Sequence, residues 1–311
     1  MNAIKVIESN EKGLRFSAKE FLSFLRKSND IWWSEENEKC HWIFRGQYNH
    51  KWRLLPSAWR ESNKKFEPLL KKIALLPPPK EEKLSSRELE FRQKSNIEFK
   101  AISDFNNLAG QLGLSVPENH LPDPLSQRFL MAYPFHVIKE ILPLAQHYGI
   151  PTRLLDWTEN PIFAAYFSVG KEYRTEENPE NVCVWALNLK RLNGLWSTYK
   201  PNDYSISINT VYDYKYRNDF LKAQEGLFTR LDGGIGAFYR DTGRFPSLDE
   251  VVEIMAEKQN IDSPILLKIL LAKSEINNLL ILLNREGINQ ARLMPSYDKV
   301  GEVVISRWNI T

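Results

Sequence analysis

The sequence predicts an α+β single domain built on a split or curved mixed β-sheet flanked by helices, with helical insertions. Three observations lead there. Short β-prone runs recur along the 311 residues. The stretches between them carry helical apolar periodicity of very uneven length, and no internal repeat or heptad array imposes a simpler architecture. The expected strands are Trp42–Gln47, Thr152–Trp157, Val182–Leu187, Gly226–Arg230, Ile265–Leu270 and Val300–Trp308.

Taken in order, Ala18–Arg26 (AKEFLSFLR) spaces its apolar residues as a helix does, with Ser17 placed to cap it, and Ile31-Trp32-Trp33 extends the apolar face. Trp42–Gln47 (WIFRGQ) is an aromatic strand in which Arg45 interrupts the alternation, at a position where an inward-facing charge needs a reason. Gly46 beside it permits close approach of another group. Trp52–Arg60 follows as a bent apolar stretch, Pro77–Glu82 as an exposed loop, and Ser86–Leu108 as a long amphipathic helix. Ser115–Ser126 reads as a polar surface link, Lys171–Asn181 as a charged loop, and Val182–Leu187 as a central strand. Leu195–Tyr216 has little period and reads as an irregular loop. Ser247 is expected to cap a helix Pro246–Lys258, and Ser274 a helix Lys273–Arg285 stopped by Gly287.

Bulk properties exclude several classes. With 42% hydrophobic and 12% aromatic residues the chain can bury a substantial core, and its net charge of +3 falls short of a dedicated DNA-binding module. No run of 18 apolar residues occurs and the first residues are charged, so the expectation is a cytoplasmic protein with no membrane span. Cys40 and Cys183 show no metal-ligand spacing, and P-loop, GxGxxG and HExxH motifs are absent, so no metal is expected.

Functional groups concentrate in Leu144–Val169 (LAQHYGIPTRLLDWTENPIFAAYFSV). Gly149 can take the positive φ of a helix stop after Gln146-His147-Tyr148, and Pro151 keeps the next residue extended. Thr152–Trp157 then forms a strand, and Thr158 or Asn160 caps a helix Pro161–Ser168, a junction whose free N–H groups suit an anion. In the plainest reading Asp156 caps, Arg153 pairs with it and His147 is a satisfied histidine. A later element, Ala223–Thr229 (AQEGLFT), adds Gln224 and Glu225.

Together WIFRGQ, QHYGIPTRLLDWTENPIFAAYF (Gln146–Phe167), AQEGLFT and LNREGINQARLMP (Leu283–Pro295) resemble the FRG domain family, over about Trp42 to Pro295. Residues 1–41 then form an N-terminal helical extension, and 42–311 the domain, with a helical insertion at about 64–143. The motif order is also similar to that of ADP-ribosyltransferases, which implies that family's fold. It further implies NAD as substrate, with nicotinamide released and an acceptor modified. On that resemblance Arg45 holds the NAD diphosphate or adenosine ribose. Phe44, Gly46, Gln47, Thr152, Arg153 and Thr158 contribute to the cofactor pocket, and Tyr148 or Trp157 stacks on the nicotinamide. Glu225 orients the ribose or deprotonates the acceptor and Gln224 recognises it, with Asp156 or Glu159 as the alternative carboxylate.

The acceptor implied is RNA or protein, in an intracellular toxin or anti-phage effector with an antitoxin or chaperone as partner. Basic residues near Arg53, Arg60, Lys64 and Lys65 permit nucleic acid. A second reading is a non-catalytic nucleotide- or nucleic-acid-binding module in which Arg45 and Asp156 form a buried structural ion pair. A third is a metal-independent hydrolase or nuclease with His147 as base and Asp156 as its orienter.

Overall fold

The computed structural model describes residues 3–33, 39–61, 63–74, 84–117, 121, 138, 140–170, 177–198, 206–211, 222–261 and 263–308. Its strands are β1 (Ile4–Ile7), β2 (Trp42–Gln47), β3 (Leu154–Thr158), β4 (Asn181–Asn188), β5 (Ser207–Val211), β6 (Gly226–Asp232) and β7 (Leu266–Ala272). They form one mixed sheet in the order β1-β7-β4-β2-β3-β6-β5. β1 runs parallel to β7, and every other pairing is antiparallel.

Strand alternation divides the core between the two faces. Ile43, Leu155, Trp157, Trp185 and Leu187 point to one side. There they pack with α6 (Leu189–Thr198), α7 (Ile235–Thr242) and α8 (Leu248–Lys258). Phe44, Val184 and Ala186 point to the other, against α1 (Ala18–Leu25), α5 (Pro161–Val169) and α9 (Ile276–Arg285). Fully burying side chains of this size contributes about 1.5–3 kcal/mol each. On this second face α5 lies so close to β2 that a Cβ on Gly46 would sit 2.1 Å from the Ala164 carbonyl oxygen and 2.5 Å from the Ser168 nitrogen. Only glycine fits there.

A third cluster lies under α3 (Ser86–Gln111) and α4 (Ile141–His147), where Phe99, Ile102, Ile141 and Ala145 cover Leu154 and Phe228. The buried Glu98 of α3 accepts from the Arg153 backbone N–H at 2.7 Å, and from Nε and Nη2 at 3.0 and 2.8 Å. The stretch expected to be an insertion is thus bolted to the start of β3 by a buried ion pair and a backbone hydrogen bond.

Other expectations need correction. Val300–Trp308 is not a strand but part of α11 (Tyr297–Trp308), which follows the short α10 (Gln290–Leu293). Val300, Val303 and Val304 recur at helical, not alternating, spacing. The sheet ends instead in β1 and β5, two short edge strands that were not expected. β5 lies inside the stretch read as an irregular loop, and α6 begins in the strand-to-loop interval just before it. α7 was likewise unexpected.

Of the two candidate caps for α5, Asn160 performs the role, accepting from Ile162 N at 3.0 Å. Ser274 lies within a 3₁₀ turn, Lys273–Glu275, and Glu275 heads α9. Ser247 occupies the N-cap position of α8 without a side-chain cap bond, its hydroxyl accepting from Arg53 Nε at 3.3 Å. Pro77–Glu82, most of Lys171–Asn181 and parts of Ser115–Ser126 lie outside the described residues. Among the described residues no helix is long and apolar enough to cross a membrane.

Two stability outcomes follow from these contacts. Gly46→Ala should lower the unfolding free energy by about 3 kcal/mol, because the added methyl meets the backbone of α5 at three atoms. Glu98→Leu should cost about 3–5 kcal/mol by stranding a buried guanidinium, and Glu98→Leu with Arg153→Leu should recover much of that loss. Urea unfolding of the three variants measures both.

Candidate functional site

The site is produced by a fork in the sheet. β2 pairs with β4 along its whole length, from Trp42↔Asn188 to Gln47↔Cys183. With β3 it shares a single register pair, Phe44↔Thr158. β3 is drawn away because it pairs fully with β6, from Leu154↔Arg230 to Thr158↔Gly226. Beyond Phe44 the two strands separate, and the Arg45 side chain bridges the gap. Its Nη1 donates to the Asp156 carbonyl at 2.7 Å and to Asp156 Oδ2 at 3.3 Å. A guanidinium thus stands where a ladder hydrogen bond would otherwise run, which is the reason the strand tolerates an arginine.

A cavity of about 440 Å³ opens at this fork, within the size range of small-molecule clefts. Arg45, Gln47, Arg60, Gln146, His147 and Asp156 supply its polar wall, with Phe44, Trp52, Trp157 and Phe228 as aromatic lining. The Arg45 side chain is 14% exposed, and its Nε is buried without a partner among the described residues. A buried donor left unpaired is costly, so this N–H is a vacant contact for a ligand oxygen.

Arg60 faces the same space. Its Nε donates to the Leu55 carbonyl at 2.9 Å. Burial, followed by repulsion from Arg45, pushes its pKa down to about 10, with Asp156 opposing the shift. It still carries its charge at neutral pH. Two guanidiniums against one carboxylate leave the cleft net positive, and an anionic group placed between them would relieve their repulsion.

Asp156 is held from two sides. Gln146 Nε2 donates to its Oδ1 at 2.5 Å. The orientation of that amide is set in turn by the Thr152 hydroxyl, which donates to Gln146 Oε1. Thr152 is fully buried and anchored by Ser57 and Ala58 through its backbone. The carboxylate nevertheless remains 60% exposed. The expectation of a buried Arg45–Asp156 ion pair is therefore corrected: the buried pair in this region is Arg153 with Glu98, and Asp156 faces solvent from the cleft wall. Burial lowers the His147 pKa, with Asp156 opposing, so this ring is neutral at pH 7.

The fold thus brings Phe44, Arg45, Gly46, Gln47, His147, Asp156, Trp157 and Gln224 to one cavity. Other expected contacts lie elsewhere. Arg153 is occupied by Glu98, Thr152 lies beneath Gln146, and Tyr148, 63% exposed, stacks outside on Phe105. Thr158 is buried, donating to the Gln224 carbonyl at 2.7 Å. Trp157 lines the cavity but is 3% exposed, its indole N–H given to Thr229.

Glu225, next to Gln224, lines a different groove. It has a positive φ of 48°, unusual for a side chain of its size, and accepts from Asn160 Nδ2 at 3.1 Å. Arg60 and Gln146 complete the site without having been expected in it. Nothing in the sequence ties Arg60 to Arg45, whereas Gln146 lay within the hub next to His147.

A family model for the FRG domain matches residues 40–177. The chain carries an FRG domain. Neither a comparison with curated proteins nor one with solved structures returns a match. The FRG match contains β2, α4, β3 and α5, hence Arg45, Arg60, Gln146, His147 and Asp156. The two downstream motifs expected to belong to the family lie beyond it. Folding still carries them to the same place: Gln224 Nε2 donates to the Leu293 carbonyl at 3.2 Å, and Met294 lines the FRG cavity.

The depressed His147 pKa fixes a pH dependence. The unfolded chain takes up a proton near the ordinary value of 6.5, which the folded site resists, so this residue costs stability as pH falls through 6.5 and costs none above it. His147→Gln should reduce the loss of stability between pH 7.5 and 5, measured by urea unfolding at each pH.

Proposed function

We propose that the FRG cleft binds the diphosphate of a nucleotide between Arg45 and Arg60, and that with NAD it catalyses transfer of ADP-ribose to a macromolecular acceptor. The observation that carries this reading is the convergence of two guanidiniums on one small cavity, with one buried N–H still unpartnered. Planar guanidinium forks suit phosphate oxygens, and the surrounding aromatic lining suits a ring.

The reaction asks little else of the protein. The ribose C1′–nicotinamide bond breaks, nicotinamide leaves with the electron pair, and the acceptor oxygen or nitrogen forms the new C1′ bond while its proton passes to a carboxylate. A negative group beside the developing sugar cation and positive groups on the diphosphate favour that step. Asp156, held by Gln146 and Arg45 and exposed to the cleft, is the carboxylate placed to face the ribose. Gln224 reaches the same space. Neutral His147 stands ready to accept a proton or a hydrogen bond.

Incubating the protein with labelled NAD and, separately, cellular RNA, DNA and protein tests this. Nicotinamide release and label transfer are expected, reduced roughly 100-fold or more in Arg45→Ala and in Asp156→Asn. Absence of both NAD binding and nicotinamide release would sink the transferase reading and leave the non-catalytic nucleotide-binding module. Full activity in Asp156→Asn would move the carboxylate role to Glu225.

A further inference from the structure

The Phe44↔Thr158 pair that closes the fork is also a wall. On its far side, across the ends of β4, β2, β3 and β6, lies a second and larger groove of about 1270 Å³. That exceeds the roughly 300–1,000 Å³ of small-molecule clefts. Gln224 lines the first cavity and Glu225 the second, so adjacent residues look into the two spaces.

The groove has a polarity along its length. Lys27, Lys39 and Lys190 lie at the end formed by α1, the entry to β2 and the exit of β4. Neither Lys27 nor Lys39 has an ion-pair partner among the described residues, since the ion pairs present involve other cations. Trp33 stands with them, 39% exposed, its indole N–H fixed to the Lys27 carbonyl at 2.5 Å. Towards the middle lie Glu159 and Glu225, whose backbones are joined by the 3.0 Å bond from Glu159 N to the Glu225 carbonyl. Glu225 there keeps a left-handed backbone that costs energy and persists because Asn160 and Glu159 fix it.

We propose that this groove binds a single-stranded nucleic acid, the acceptor class of the transferase reading, with phosphates on the three lysines and an unpaired base stacked on Trp33. Ammonium groups beside a pinned, exposed indole are the arrangement that grips a backbone and a base face together. A duplex hides those faces, so it lacks the stacking contact. The assignment of the groove as an acceptor site rests on the transferase reading of the Arg45 cleft, whereas binding of the strand does not.

Binding is therefore measured without NAD, by fluorescence anisotropy of labelled ten-residue single-stranded RNA and DNA, a duplex of the same length and a poly-glutamate peptide. Wild type is expected to bind the single strands more tightly than the duplex. The salt slope should fall by about 2 in Lys27→Gln/Lys39→Gln/Lys190→Gln, at about 0.7 per lost phosphate contact. The affinity of that variant should drop at least tenfold, and Trp33→Ala should lose about 5- to 100-fold. Lys71→Gln/Lys72→Gln, a change of two lysines on α2 (Glu67–Ala74), should bind as wild type.

Single-strand binding indifferent to the three lysines, or no preference over duplex, would overturn the proposal. So would lysine-dependent binding of poly-glutamate at equal affinity, which would assign the groove to an acidic peptide. If the strand binds as expected while NAD does not bind at all, the transferase reading fails and the strand-binding groove stands.

Discussion

One side chain keeps two strands of this sheet together after their backbones have parted. Antiparallel strands that share a single pair would ordinarily zip further or leave a row of unpaired groups. Here β3 is committed to β6 and β2 to β4, and the guanidinium of Arg45 spans the space by donating to a main-chain carbonyl. The cavity exists because the ladder does not close. The residue that holds the gap open is the same one that presents an unsatisfied donor inside it.

The rest of the site is layered onto that fork. Gly46, the next residue along β2, lets α5 press against the opposite face, so the strand cannot relax towards β3 by moving off its helix. Thr152 fixes Gln146, Gln146 fixes Asp156, and Asp156 receives Arg45. Each link orients the next, and rigid first contacts of this kind are what binding or catalytic sites require. Arg60 then adds a second charge that the carboxylate alone does not neutralise.

The motif residues that were legible in the sequence are those whose local pattern carries its own explanation. The aromatic strand with its intruding arginine, the helix stop at Gly149, the asparagine cap and the apolar runs of β4 and β7 each follow from propensity or turn chemistry. What the sequence did not disclose depends on long-range pairing. Arg153 and Asp156, three residues apart, look like natural partners until α3 delivers Glu98 from 55 positions upstream. β1 is only four residues long and is stabilised by β7 rather than by any pattern of its own. Gln224 and Glu225 read as one functional dipeptide, but both lie in the turn before β6, where Glu225 takes a left-handed backbone, and they line two different cavities.

The span of the FRG match and the unit that folds are different things. Residues 40–177 contribute only two of the seven strands, β2 and β3, and these share a single register pair. The neighbours that give each of them an edge, β4 and β6, come from later in the chain, and the helix that neutralises Arg153 comes from a segment between the two motifs. The matched segment could not stand as a sheet by itself. In this chain the outer strands β4, β5 and β6 come from beyond the match, so the second groove is framed largely by residues that the match does not include.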